Sequence, residues 1–313
     1  MPYKKYLYPK TTPWYTGYIT TSDKHQIYYE LSGNKNGIPV VYVHGGPGGS
    51  VGSAAHRFFD PKKYFVITFD QRGCGKSKPF LSLENNTTHH LVEDMQLLKR
   101  TLNIEKWVIF GGSWGTTLAL VYAIKYPEDV RSLLLRGVFL ARASSIKWLY
   151  QDGANMMRPV EYEQFVDGIP EEERSDVIKA YHKLLNSYDP AVMLAAAYQW
   201  NDWETSLVSV NDQKWPKRVD REEFAVAKLE NHYFYNNSFL EENYILNNAD
   251  VIKNIKTYIV HGAFDLDCRP IDAYDLHKKL PNSELYIVKK AGHTTRDIPL
   301  LKQILEILDE KIK

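Results

Sequence analysis

Residues 107–126 read Trp107-Val108-Ile109-Phe110-Gly111-Gly112-Ser113-Trp114-Gly115, then Thr-Thr-Leu-Ala-Leu-Val-Tyr-Ala-Ile-Lys-Tyr up to Tyr126. The first four residues are an apolar run of strand length, and Thr116 to Tyr126 is an alanine- and leucine-rich run of helix length. Between them Gly111, Ser113 and Gly115 fit Gly-x-Ser-x-Gly. A serine on a sharp strand-to-helix turn holds its hydroxyl clear of the backbone, and such a turn is too tight for side chains at the flanking positions. The stretch predicts a nucleophile elbow with acyl transfer at Ser113. The plainer alternative is a glycine-rich turn that merely joins a strand to a helix.

The pattern repeats outward. Val40 to Val43, Phe65 to Phe69, Leu133 to Leu135, Tyr258 to Val260 and Leu285 to Val288 are further continuous apolar runs, as expected of strands buried on both faces. Helical patterns lie between several of them, such as Leu91 to Leu102 with Thr87 and Thr88 as candidate caps. Residues 16–33 alternate around Ser22-Asp23-Lys24 and read as an antiparallel hairpin. Strands alternating with helices predict an α/β fold with a mainly parallel central sheet and helices on both faces. The alternation stops between Phe139 and Asn248, where helical stretches are read at 161–165, 174–185, 191–200 and 221–230. Trp148, Trp200, Trp203 and Trp215 fall in this interval. Because the strand pattern resumes afterwards, residues 139–248 read as a helical cap inserted into a discontinuous core of residues 1–138 and 249–313, rather than as an unrelated domain.

Composition sets the outer limits. The 313 residues carry 39 Lys+Arg against 38 Asp+Glu, a net charge of +1, which lacks the basic footprint of a nucleic-acid binder. No apolar run approaches the roughly 18 residues of a membrane span, and the first residues lack the apolar centre of a signal peptide. The only cysteines are Cys74 and Cys268, too few for a disulfide framework, which points to a reducing cytoplasm. His89-His90 is not a ligand motif and no His-Glu-x-x-His occurs, so neither metal nor cofactor is expected.

A serine hydroxyl needs a base to take its proton, and the base needs a third group to fix its tautomer. In open α/β sheets such groups gather beyond the carboxyl ends of the strands. Asp265 follows the run ending at Val260, and His293 follows the run ending at Val288. The order Ser113, Asp265, His293 is that of the α/β-hydrolase fold. Asp267 is the rival acid, and Asp265 is preferred as nearer the strand end. For the oxyanion, one donor is the backbone N–H of Trp114. The second is assigned to the glycine-rich loop His44-Gly45-Gly46-Pro47-Gly48-Gly49, at Gly46 before Gly45.

Here the residues resemble the proline iminopeptidases, through His-Gly-Gly-Pro-Gly-Gly at 44–49, Asp-Gln-Arg-Gly at 70–73, Gly-Gly-Ser-Trp-Gly at 111–115, Leu-Arg-Gly-Val-Phe-Leu at 135–140 and Glu-Asn-His-Tyr-Phe at 230–234. The resemblance runs from Tyr15 to Asp297. It implies a cytosolic serine exopeptidase, without metal, that removes N-terminal proline from short peptides. It implies that Glu204 and Glu230 bind the free amino group, that Phe139 and Phe234 clasp the proline ring, and that Arg136 and Arg72 order the loops around the pocket. Carboxylates in a dry pocket suit a positive secondary ammonium on physical grounds as well.

Two departures stand out. The resemblance calls for Trp-Tyr-Tyr-Gln where this chain has Trp148-Leu149-Tyr150-Gln151, and for small or aliphatic residues where it has Leu266-Asp267, followed by an extra Arg269. Asp267 either adds a carboxylate to the pocket or pairs with Arg269. Two competing functions use the same residues: a carboxylesterase or amidase acting on uncharged substrates, and a small-molecule receptor on a hydrolase fold.

Overall fold

The computed structural model describes residues 2–210 and 219–313, so that Trp215 lies outside the described residues. Strands β1 (Tyr15–Thr20), β2 (Gln26–Gly33), β3 (Ile38–Val43), β4 (Tyr64–Phe69), β5 (Trp107–Gly112), β6 (Val130–Arg136), β7 (Lys256–Gly262) and β8 (Ser283–Val288) form one sheet. Its order is β1-β2-β4-β3-β5-β6-β7-β8. The β1–β2 hairpin is antiparallel with Tyr18 opposite Tyr28, β2 also runs antiparallel to β4, and every pairing beyond is parallel.

Side chains alternate across a strand, and here the alternation sorts them into two apolar layers. Val41, Ile67, Ile109, Leu133 and Ile259 pack with α1 (Thr88–Thr101), α2 (Trp114–Lys125) and residues of the β6–β7 insertion. Their neighbours Val40, Val66, Val108, Leu134 and Val260 face the other way, onto the C-terminal helix near Leu301 and Ile304. In α1 the buried Leu91, Met95 and Leu98 follow the i, i+4, i+7 spacing of one helical face. The Thr87 side chain caps its first turn by accepting from the His90 N–H.

Between β6 and β7 the described chain is helical: α3 (Ala143–Tyr150), α4 (Pro159–Asp167), α5 (Val177–Leu185), α6 (Pro190–Leu207), α7 (Arg221–Tyr235) and the single turn α8 (Tyr244–Asn247), besides short 3₁₀ turns. Aromatic rings bind α3–α7 together: Tyr150 stacks on Trp200 at 4.5 Å, and Phe165 stacks on Tyr181 at 4.6 Å. Such pairs are favourable beyond the area they bury. By contrast α8 packs on α2 and on α9 (Pro270–Lys279), so the last turn of the insertion sits against the core. After β8, α10 (Ile298–Glu306) completes the second layer.

The loops that follow β3, β5, β6, β7 and β8 all leave the carboxyl edge of the parallel strands, where a doubly wound sheet leaves a crevice. They carry Gly46, Ser113, Phe139, Asp265 and His293 in turn.

Candidate active site

Ser113 joins β5 to α2 with φ 57° and ψ −128°, a conformation an L-residue holds only under constraint. The flanking glycines are sterically required. A Cβ on Gly111 would lie 2.3 Å from the Gly115 carbonyl oxygen, and one on Gly115 would lie 2.2 Å from that of Val43. The turn is pinned by the Ser113 N–H, which donates to the Arg136 carbonyl at 2.9 Å.

His293 is buried, with Nδ1 2.8 Å from Asp265 Oδ2. The second Asp265 oxygen accepts the backbone N–H groups of Cys268 at 2.8 Å and Asp267 at 3.1 Å, which hold the carboxylate in place. The imidazole's other nitrogen, Nε2, lies 3.1 Å from Asp267 Oδ2. The two aspartates that compete in the sequence therefore take opposite nitrogens of one ring. Among the described residues, no hydrogen bond joins His293 to the Ser113 hydroxyl in this state. Burial lowers the proton affinity of His293 and raises that of both carboxyls, pushing Asp267 up to about 7. The insertion secures the loop: the N–H groups of His293 and Thr294 both donate to the Val208 carbonyl, at 2.9 and 2.8 Å.

Arg136 and Arg72 serve the surrounding loops. The Arg136 guanidinium packs against Gly112 and donates to the His293 carbonyl at 3.0 Å, so it braces the histidine loop from behind. It is not among the residues lining the cavity over Ser113. Arg72 is engaged by Asp94 and Asp23.

Gly46 lines that cavity. Gln71, which sequence reading passed over, ties its loop to the elbow. The Gln71 N–H donates to His44 Nε2 at 3.0 Å, its side-chain amide donates to the His44 carbonyl at 2.9 Å, and its Oε1 accepts the Trp114 indole N–H at 3.0 Å. The Asp-Gln-Arg-Gly string was the available signal.

The cavity holds about 220 Å³, below the roughly 300–1,000 Å³ of drug-sized sites. It gathers Ser113, His293, Gly46, Phe139, Phe234, Glu204 and Glu230, together with Leu149 and Asp267. Phe139 and Phe234 meet edge to face at 5.6 Å. Glu204 on α6 and Glu230 on α7 are hydrogen-bonded to each other, which requires one proton between them. Burial, then the charge of Glu204, drives Glu230 well above the usual carboxylate range. The Tyr150 hydroxyl donates to Glu204, and the Trp200 indole donates to Glu230 at 2.7 Å. Neither partner was foreseen. Trp200 lies one turn before Glu204 on the same helix face, yet serves the carboxyl on the facing helix.

The model of the alpha/beta hydrolase fold matches residues 38–295. The chain is 45% identical to a proline iminopeptidase of Arabidopsis thaliana over 99% of this chain and 83% of that one. It is 42% identical to the proline iminopeptidase of Neisseria meningitidis serogroup A, over 97% and 98%. The chain belongs to the proline iminopeptidase family. It is thus a hydrolase on an α/β-hydrolase fold. An alpha/beta fold hydrolase from Bacillus anthracis superposes with a TM-score of 0.61 at 19% identity, covering 96% of this chain and 99% of that one, and shows the same fold.

Within this member of the proline iminopeptidase family, Leu149 lines the cavity in place of the expected phenol, while the neighbouring Tyr150 supplies a hydroxyl to Glu204. Asp267 does not pair with Arg269, whose guanidinium turns to Asp272 at 3.3 Å and to Ser144 at 3.1 Å. Asp267, Cys268 and His293 bring one potential metal-ligand atom each within 4.8 Å of one another, but burial holds the Cys268 thiol well above its usual proton affinity, against the thiolate a metal needs. No helix among the described residues is long and apolar enough to cross a membrane.

Proposed function

We propose that the chain is a serine aminopeptidase that releases N-terminal proline from short peptides in the cytosol, through an acyl-enzyme formed at Ser113, with residues 139–248 serving as a cap over the core. The observation that carries this reading is the buried Glu204–Glu230 pair, which shares a hydrogen bond in the same cavity as Ser113 and His293. One proton on two carboxyls leaves about one negative charge, which a single substrate ammonium neutralises. An uncharged ester would leave that charge buried and unmatched, which disfavours the esterase reading. The names of the full-length relatives point the same way.

The substrate ring lies against Phe139 and Phe234, with its ammonium between Glu204 and Glu230. His293, oriented by Asp265, takes the Ser113 proton as the hydroxyl attacks the first peptide carbonyl. The N–H groups of Gly46 and Trp114 hold the oxyanion. His293 then protonates the departing amine, and water activated by the same imidazole releases proline. With the free ammonium of the substrate held by Glu204 and Glu230, the first peptide bond is the one presented to Ser113, so cleavage is exopeptidic. The test compares prolyl and N-acetyl-prolyl fluorogenic amides in the parent and in Ser113→Ala. Rapid cleavage of the prolyl amide alone, lost by several orders of magnitude in Ser113→Ala, is expected. Equal cleavage of the acetylated amide would remove the amine-pocket argument.

A further inference from the structure

His293 carries a carboxylate on each ring nitrogen, and a serine peptidase needs only the one on Nδ1. We infer that Asp267 is a positioning residue for the base: in the free enzyme it holds Nε2 of His293, and the ammonium of an arriving substrate draws it off, so that Nε2 becomes available to Ser113. This inference rests on the roles proposed above for His293 and for the amine pocket.

Three observations support it. Asp267 Oδ2 stands 3.1 Å from Nε2, the atom that must accept the serine proton, and a proton held by this pair keeps the imidazole from acting as a base. The cation adjacent in sequence, Arg269, is committed to Asp272, and among the described residues the ion-pair partner of Asp267 is His293. Asp267 also lines the cavity with Glu204 and Glu230, where it feels the charge of Glu204 and Glu230 feels its own. A cation entering among the three stabilises Asp267 as a carboxylate and weakens its claim on the imidazole proton, which is released to solvent and leaves Nε2 neutral. The group that identifies the substrate thereby frees the base.

The sign of the pH effect follows. A carboxylate beside an imidazolium favours the protonated ring, so removing Asp267 frees Nε2 at lower pH. The other groups facing the contact are Asp265 and His261 from the β7 side, Arg136 from β6, Glu204 from α6, Glu230 from α7, Tyr150 from α3 and the neighbouring Cys268. All remain in the variants, so the difference from the parent reports Asp267.

The experiment measures the p-nitrophenol burst from p-nitrophenyl acetate, a neutral ester, against pH in the parent, Asp267→Val and Asp267→Asn. The asparagine variant, nearly isosteric, guards against misfolding. Acylation of the parent should fall as the pH drops below neutrality. In both variants that limb should move down by about one pH unit, giving roughly tenfold faster acylation on the acid side. With a prolyl amide, the acid limb of kcat, which reports the bound enzyme, should lie below that of kcat/KM in the parent, and the gap should narrow in Asp267→Val. Burst profiles that superimpose on the parent's in both variants would overturn the inference. An ester limb that moves while prolyl amides are not cleaved would overturn the aminopeptidase reading and leave the hold of Asp267 on His293 standing.

Discussion

Gly137 presents its bare Cα to the edge of His293. A Cβ there would lie 2.8 Å from Cε1 and 2.9 Å from Nδ1 of the imidazole, and 3.5 Å from Asp265 Oδ2. The residue also holds φ +60°, which an L side chain adopts only with strain. The backbone after β6 is therefore one wall of the histidine's seat. Gly137→Ala is expected to cost about 1–2 kcal/mol of stability from the backbone alone. It should also push the ring off Asp265. Because misplacement by about 1 Å is enough for a hundredfold loss, kcat should fall by ten- to a hundredfold while the fold survives. Stopped assays of the variant alongside its thermal unfolding separate the two effects: a normal kcat with a lowered Tm would show that the ring does not need this wall.

The Glu204–Glu230 pair carries a stability penalty that grows with pH. Glu230 keeps its proton in the folded state at a pH where an exposed glutamate has lost it, because burial and the charge of Glu204 raise its proton affinity. Between those two ranges the native state binds more protons than the unfolded chain, so stability falls as pH rises above the ordinary glutamate range. Glu230→Gln removes the titration while leaving an oxygen for the Trp200 indole, which now donates at 2.7 Å. The variant should match the parent near pH 5 and exceed it in Tm by pH 8. Its kcat/KM for prolyl amides should fall by about ten- to a hundredfold, the worth of a charge-assisted hydrogen bond. A Tm difference that stays flat between pH 5 and pH 8 would show that the pair does not hold the extra proton.

What could be read in advance follows from the range of the forces involved. The inner strands β3–β7 were visible because a strand buried on both faces is a continuous apolar run, and the elbow because Gly-x-Ser-x-Gly is a short pattern between such a run and a helix, although only Gly111 is demanded by a contact a few residues away and Gly115 answers to Val43 on β3. The Thr87 cap is equally local. Tyr150 and Trp200 carry no such mark. Each meets its carboxyl only once separate helices pack, and a tyrosine or tryptophan in an aromatic helix is read as core first. Asp267 was visible as a rival to Asp265, but its place on the opposite nitrogen depends on how the loop after β7 turns beneath His293. The spacing of two acids in sequence does not encode that turn. The same holds for Arg136, whose motif suggested a place at the pocket and whose guanidinium braces the loop behind it.

Arg72 shows how the Asp-Gln-Arg-Gly string serves architecture. Its guanidinium meets Asp94 through Nε at 2.6 Å and Nη2 at 2.8 Å, and reaches Asp23 at 2.6 Å and the Asn85 carbonyl at 3.0 Å. It thereby ties the loop after β4 to α1 and to the β1–β2 turn. Asp94 is buried deeply enough that desolvation pushes it up to about 6 even with the arginine present. Arg72→Ala leaves that carboxyl without its partner and should cost about 3–5 kcal/mol at neutral pH. Asp94 then takes up a proton in the folded state, above the pH at which the unfolded chain does. The variant's stability therefore falls as pH rises from the usual aspartate range, and its deficit against the parent is smallest in mild acid. Adding Asp94→Asn should recover part of the loss, because an amide tolerates burial that an unpaired carboxylate does not. Urea unfolding of the parent, Arg72→Ala and the double variant at pH 5 and pH 7.5 checks each step, and a deficit independent of both pH and Asp94 would assign the loss to packing of the arginine stem instead.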